Sequence, residues 1–203
     1  MATVEIAGSK PVEVMTMSDD PGLARPGGLD GLHVLDHYWQ PNAPRRTEVG
    51  ELVHRAKDHG DMAAAARLAE RLAAAVAVRL DALGSAMLVT VIPARASVVL
   101  DLPALLGRSL AEAGVGEWAG DLVTRTSDTG PLRAVEPTDR PALARAAGYQ
   151  ATPLAPETTI VLVDDVILTG TTLSEVAGCL RGAGAGSVIG VVAARSRRVD
   201  TSS

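Results

Sequence analysis

Two adjacent carboxylates, Asp164 and Asp165, stand at the end of an apolar run that begins at Ile160. A short loop later, Thr169-Gly170-Thr171-Thr172 opens a stretch of helical character, so that Val161–Leu173 reads VLVDDVILTGTTL. Ionised carboxylates only accept hydrogen bonds, which suits the two hydroxyls of a sugar diol. Backbone N–H groups at a helix start lack intrahelical partners and, with the helix dipole, attract phosphate. Gly170 permits a sharp turn and a close backbone approach, while the Thr169, Thr171 and Thr172 hydroxyls add donors. Neighbouring like charges repel, so the acidic pair is costly unless hydroxyls, a cation or water satisfy it. The order of strand, acidic pair and hydroxyl-rich helix entry predicts a site for a ligand that carries both a diol and a phosphate. A capped helix behind a buried strand, with the acids in solvent, would account for any one part of the pattern alone.

The surrounding chain predicts the elements that position this segment. Val12-Glu-Val-Met15 and Leu32–Tyr38 read as strands, with Pro21-Gly22 and Pro26-Gly27-Gly28 as turns. Val49–Lys57 is helical in pattern. Asp61 then caps an Ala-rich helix, Met62–Leu83, that Gly84 ends. Ala86–Pro93 is a buried strand by length and valine content. Asp101 caps a helix over Leu102–Ala113, with Pro103 near its start and Gly114 past its end. Leu122–Thr124 is a short strand and Thr126–Glu136 a polar loop. A helix follows from Asp139 to about Ala147, then the strand Thr159–Val163, the helix Thr171–Gly182 and the strand Ser187–Ala193. Alternation of this kind predicts an α/β fold with a mostly parallel sheet flanked by helices. Ligands of such sheets bind at the carboxyl ends of the strands, here Pro93–Ala96, Arg125 and Asp164–Thr172.

The chain has 203 residues, which fits one domain of residues 46–203 with a small N-terminal accessory segment, residues 1–45. Hydrophobic residues make up 47% of the chain, yet there is no Phe, and only two Tyr and two Trp. The core must therefore come from Ala, Val, Leu and Ile, as in helices packed on a parallel sheet. A net charge of −5 without a long basic run argues against nucleic acid as a partner. The one cysteine, Cys179, excludes a disulfide framework and a cysteine-rich zinc site. Neither a secretory signal nor a long uninterrupted apolar stretch is seen, so a cytoplasmic protein without a membrane partner is expected.

The segment VLVDDVILTGTTL resembles the phosphoribosyl-pyrophosphate loop of type I phosphoribosyltransferases. The resemblance implies that Asp164 and Asp165 take the ribose hydroxyls and act in catalysis. It also implies that Leu168, Thr169, Gly170, Thr171 and Thr172 bind the 5′-phosphate. His37-Tyr38-Trp39, followed by Glu51–Asp61 with its Lys57-x-x-Gly60-Asp61 element, is similar to ComF-like members of that family. Val91-Ile92-Pro93-Ala94-Arg95 falls where those proteins carry a pyrophosphate loop, which implies Ala94 and Arg95 as ligands of the leaving group. The implied fold adds a small N-terminal hood-like segment to the sheet. The implied reaction is displacement of pyrophosphate from phosphoribosyl pyrophosphate by a nitrogen nucleophile on an unidentified acceptor base. Mg²⁺ is the implied cofactor, with Asp164 and Asp165 as its protein ligands, and homodimers are common in the family. The alternative is a non-catalytic regulator that binds phosphoribosyl pyrophosphate or a nucleotide, or an accessory protein of DNA uptake. Water as the acceptor gives a weaker third option, a phosphoribosyl hydrolase or phosphotransfer activity. The chain departs from the family at three points: the four-cysteine zinc element of many ComF-like proteins has no counterpart here, Leu168 stands where 6-oxopurine enzymes carry an acid, and the Gln and Asn common in the family's flexible segment are not obvious in Thr126–Gln150. The second departure disfavours hypoxanthine or guanine as acceptor.

Other residues are better explained by packing or solvation. Arg125, Arg133, Arg140 and Arg145 flank or occupy the segment where the family has a mobile cover, and one of them would contact pyrophosphate. Tyr38 and Trp39 are expected to pack the accessory segment rather than stack on a base. His33 and His37 have a helical metal-ligand spacing but sit in a strand-like stretch. Gly182, Gly184 and Gly186 follow a helix and precede a strand, the wrong order for a dinucleotide fingerprint. Cys179 is expected to pack in the core.

Overall fold

The computed structural model describes residues 3–4, 12–13, 15–16, 26–40, 43–80, 87–94, 100–127, 136 and 138–196. Short strands β1 (Thr3–Val4), β2 (Val12–Glu13) and β3 (Met15–Thr16) precede β4 (Gly31–His37). Helices α1 (Glu48–His59) and α2 (Met62–Leu80) follow, then β5 (Met87–Val91), α3 (Leu102–Glu112), β6 (Glu117–Trp118) and β7 (Val123–Arg125). The chain continues through α4 (Arg140–Ala146), β8 (Tyr149–Ala151), β9 (Thr159–Ile167), α5 (Thr171–Gly182) and β10 (Ser187–Arg195). The central sheet runs in the order β3-β4-β10-β9-β5-β6. Every pairing from β4 to β6 is parallel, and only β3 is antiparallel to its neighbour.

Strand parity sorts the core into two layers. Val161 and Val163 of β9, with Val89 and Val91 of β5 and Val191 of β10, pack against α1, α2 and α3. Ile160 and Leu162, with Val188 and Val192, pack against Leu173, Val176 and Leu180 of α5. A strand covered on both faces has no polar side, which is why β9 and β10 read as continuous apolar runs. Helix termini are set by local chemistry. Thr47 caps α1 by accepting from the Gly50 amide at 2.9 Å, and Asp101 caps α3 through the Ala104 amide at 3.1 Å. Gly50 lies so close to β4 that a Cβ there would meet the Tyr38 carbonyl oxygen at 2.0 Å.

The layers follow from connection handedness. The steps β4–α1–α2–β5 and β5–α3–β6 advance along the sheet in one direction, and their helices share one face. The step β9–α5–β10 goes the other way, and α5 lies on the opposite face. Right-handed crossovers require this sorting. The direction reverses between β5 and β9, and ligands bind at that reversal, outside the strands' carboxyl ends.

Several expectations change. Residues 31–37, read from the sequence within an accessory segment, form an inner strand between β3 and β10, because both faces of β4 are buried. The strand expected at Leu122–Thr124 is β7, which pairs with β8 in a separate two-stranded ribbon. The sheet position beside β5 belongs to the two-residue β6, whose pattern is too short for period to reveal. The strand expected to stop at Val163 runs to Ile167, since β10 goes on pairing with it up to Arg195. Pro21, Gly22, Gly84, Arg95 and Arg133 lie outside the described residues.

Candidate functional site

Beyond Val163, β9 outruns β5, so Asp164–Ile167 pairs with β10 on one side and faces the reversal point on the other. The Ile92 amide donates to the Val163 carbonyl at 3.2 Å, which brings Pro93 and Ala94 beside the acidic pair. The structure thus brings the Asp164–Thr172 segment and Ala94 together. Arg125 ends β7, which belongs to the two-stranded ribbon and not to the central sheet. It sits on the ribbon, where its guanidinium donates to the Ser127 carbonyl at 2.8 Å and lies 6.0 Å from the Tyr149 ring centroid.

Asp165 continues the parity of Val161 and Val163, so its carboxylate points toward α1. There the Lys57 ammonium donates to Oδ1 at 2.7 Å and lies 2.5 Å from Oδ2. The Asp165 side chain is only 6% exposed, whereas that of Lys57 is 38% exposed. Asp164 is half-buried, and its Oδ1 accepts from the Asp165 amide at 2.8 Å. Burial raises the Asp164 carboxyl to about 7, the Asp165 charge adds to the rise, and Lys57 and the Asp165 amide oppose it.

The helix entry has the form an anion needs. Gly170 occupies the N-cap of α5 at φ 76°, and no side chain caps the helix. The first α5 amide bonded within the turn is Ser174, to the Gly170 carbonyl at 2.9 Å. Exposed Thr169 and half-buried Thr171 bring their hydroxyl oxygens within 2.9 Å of each other. Half-buried Leu168 and Thr172 complete the loop. A Cβ on Gly170 would meet Pro26 at 2.7 Å, so the Pro26-Gly27-Gly28 turn backs the loop. The sequence marks that turn but not its partner.

Lys57 is the functional residue that the reading of single motifs missed. The Lys57-x-x-Gly60-Asp61 element signalled it. Gly60 ends α1 at φ 66°, and Asp61 accepts from the Ala64 amide at 3.0 Å to start α2. This tight turn fixes the last turn of α1 over the end of β9.

The remaining candidates have structural roles. Tyr38 packs on the core beside α1, and Arg46 lies over the Tyr38 and Trp39 rings at 5.9 and 5.3 Å. Burial, with the Arg79 charge, holds the His33 imidazole below its ordinary value. Arg145 is 3.9 Å from Glu175 on α5. The Cys179 thiol, raised by burial, contacts the Tyr149 carbonyl at 3.4 Å. Gly184, at φ 108°, turns the chain out of α5 toward β10. Among the described residues no group of three His, Cys, Asp or Glu side chains could hold a metal, and no helix is long and apolar enough to cross a membrane. No family model matches the chain, and no curated protein matches it.

Proposed function

We propose that this protein is a phosphoribosyltransferase that takes phosphoribosyl pyrophosphate and passes the phosphoribosyl group to a nitrogen nucleophile. One observation carries the reading: the Asp164–Asp165 pair and the uncapped N-terminus of α5 lie next to each other at the reversal point of a parallel sheet. The pair accepts from the ribose 2′ and 3′ hydroxyls. The Thr171–Leu173 amides and the threonine hydroxyls hold the 5′-phosphate. The Ala94 amide, next to the acidic pair, offers a backbone donor to pyrophosphate, and Arg95 is the other residue read for that role. The C1–oxygen bond to pyrophosphate breaks and a C1–nitrogen bond forms, with positive charge developing on the ribose ring. The Asp164 and Asp165 carboxylates fix the ring and stabilise that charge, so the contribution of the protein is positioning and electrostatics.

The donor set fits Mg²⁺ in one mode only. A protein cage is absent among the described residues, but Mg²⁺ is commonly held by one or two carboxylates together with substrate phosphates. Of the two carboxylates read as ligands, Asp165 is bonded to the Lys57 ammonium, so Asp164 would hold the ion with the ligand oxygens. When bound, Mg²⁺ neutralises the charge of the departing pyrophosphate. The alternative reading is a sensor that binds the same ligand without turnover.

Calorimetry of phosphoribosyl pyrophosphate, with and without Mg²⁺, tests the binding, and pyrophosphate release with a panel of nucleobases tests turnover. Binding with release supports the transferase, and binding without release supports the sensor. Absence of binding by the folded wild type removes both.

A further inference from the structure

Asp165 poses an electrostatic problem that the proposed ligand alone does not solve. Its carboxylate is 6% exposed and lies next to a second carboxylate. An uncompensated buried charge of this kind is strongly unfavourable. Lys57 meets the need from a position 108 residues away in the chain, with one ammonium within 2.7 Å of both oxygens. Lys57 is one of two lysines in the chain, the other being Lys10. It sits in the last turn of α1, where helix carbonyls favour a cation. An ionised carboxylate has about four lone-pair sites. An ammonium that bridges both oxygens leaves the outer pair for hydroxyl donors.

We infer that Lys57 is the resident cation of the site: it holds Asp165 ready for a sugar diol without a metal ion. This rests on the ligand reading proposed above. Lys57 acts through Asp165 and is a positioning residue. Lys57 makes the net charge of the acidic pair one unit less negative, which lowers the attraction for free metal and spares the diol from competing with it.

Ribose 5-phosphate isolates this half of the site, since it carries the diol and the phosphate but no pyrophosphate. Titrated into the full chain by calorimetry, it should bind wild type with equal affinity in EDTA and in Mg²⁺, within about twofold. Lys57→Met should weaken binding in EDTA by about tenfold or more, and Mg²⁺ should restore part of the loss. Lys57→Arg should bind in EDTA as wild type does. A purely structural lysine would not produce this change in metal dependence. Wild-type binding that requires Mg²⁺, or Lys57→Met binding that equals wild type in EDTA, overturns the inference. If Lys57→Met does not fold, the double variant Lys57→Met/Asp165→Asn removes both charges. It should bind independently of metal, and metal-dependent binding by it overturns the inference. Phosphoribosyl pyrophosphate with Mg²⁺ is titrated in parallel. If it binds wild type while ribose 5-phosphate does not, the inference alone falls. If neither binds, the ligand reading falls with it.

Discussion

Asp30 and the Asp164–Asp165 pair lie at opposite ends of the same parallel strands, and the fold surrounds their carboxylates in opposite ways. At the amino end, Asp30 precedes β4 and its Oδ2 accepts from the Val188 amide at 2.8 Å and the Ser187 hydroxyl at 2.9 Å. The Arg181 guanidinium also donates to it, while bonding the Gly28 and Gly186 carbonyls. Burial works against the charged form, but the amide, the hydroxyl and the guanidinium outweigh it and hold Asp30 below its ordinary value. At the carboxyl end, Asp165 alone is bonded to the Lys57 ammonium, and Asp164 beside it is pushed up instead. The Asp30 end spends its polar groups on the fold. The other end leaves carboxylate capacity and helix amides for something outside the chain, as expected where a fold keeps a ligand site at some cost in stability.

The comparison breaks most directly with the double substitution Asp164→Asn/Asp165→Asn. Binding of phosphoribosyl pyrophosphate should fall by about a hundredfold or more, since two charge-assisted contacts are lost. Thermal unfolding should stay level or rise, because like-charge repulsion is removed along with the ligand contacts. A marked loss of stability would mean that the pair is structural, like Asp30. Asp30→Ala should do the reverse: a stability loss of about 1–3 kcal/mol in urea unfolding, with ligand affinity unchanged.

Gly170→Ala sharpens the contrast within the loop. The new methyl group meets Pro26 at 2.7 Å and forces a side chain into the left-handed region. A stability loss of about 1–2 kcal/mol is expected, together with weaker phosphate binding, whereas Gly182→Ala, whose Cβ has nothing within 4 Å, should leave both unchanged. Urea midpoints and phosphate titrations of the two variants check this.

The smallest effect is on pH dependence. Asp164 rises from an ordinary 3.8 to about 7 on folding, so the stability tied to its proton is fully present below 3.8 and is lost as pH climbs through about 7. Asp30 has the opposite sign: its contribution is present above 3.8 and is lost as pH falls through its lowered value. Urea midpoints of wild type against Asp164→Asn should therefore converge or cross as pH rises from about 4 to about 8. Those of wild type against Asp30→Asn should stay apart above about 4 and converge as pH falls below it. A flat difference in the first pair would remove the electrostatic contrast between the two ends.

The two ends also differ in how far the sequence revealed them. The Asp164–Thr172 segment is contiguous, and its strand, turn and helix follow from an apolar run, a glycine and a hydroxyl cluster. Nothing local marks Asp30, because its partners at Arg181, Ser187 and Val188 are more than a hundred residues away. Lys57 was visible as part of a helix-ending element, but its pairing with Asp165 was not. The β6 strand escaped because two residues carry no period, and β7 was placed in the central sheet because strand pattern does not name a partner.

The sequence by itself determined the α/β alternation, the caps Asp61 and Asp101, and the chemistry of the β9–α5 junction. These depend on periodicity, φ preference and hydrogen bonds between near neighbours. Only the tertiary structure decided that β4 is an inner strand, that the sheet reverses direction between β5 and β9, and that Lys57 neutralises Asp165 while Asp164 is left raised. Burial and Coulomb energy depend on distance through space, and residues 108 apart in the chain become neighbours only when the sheet and α1 have packed.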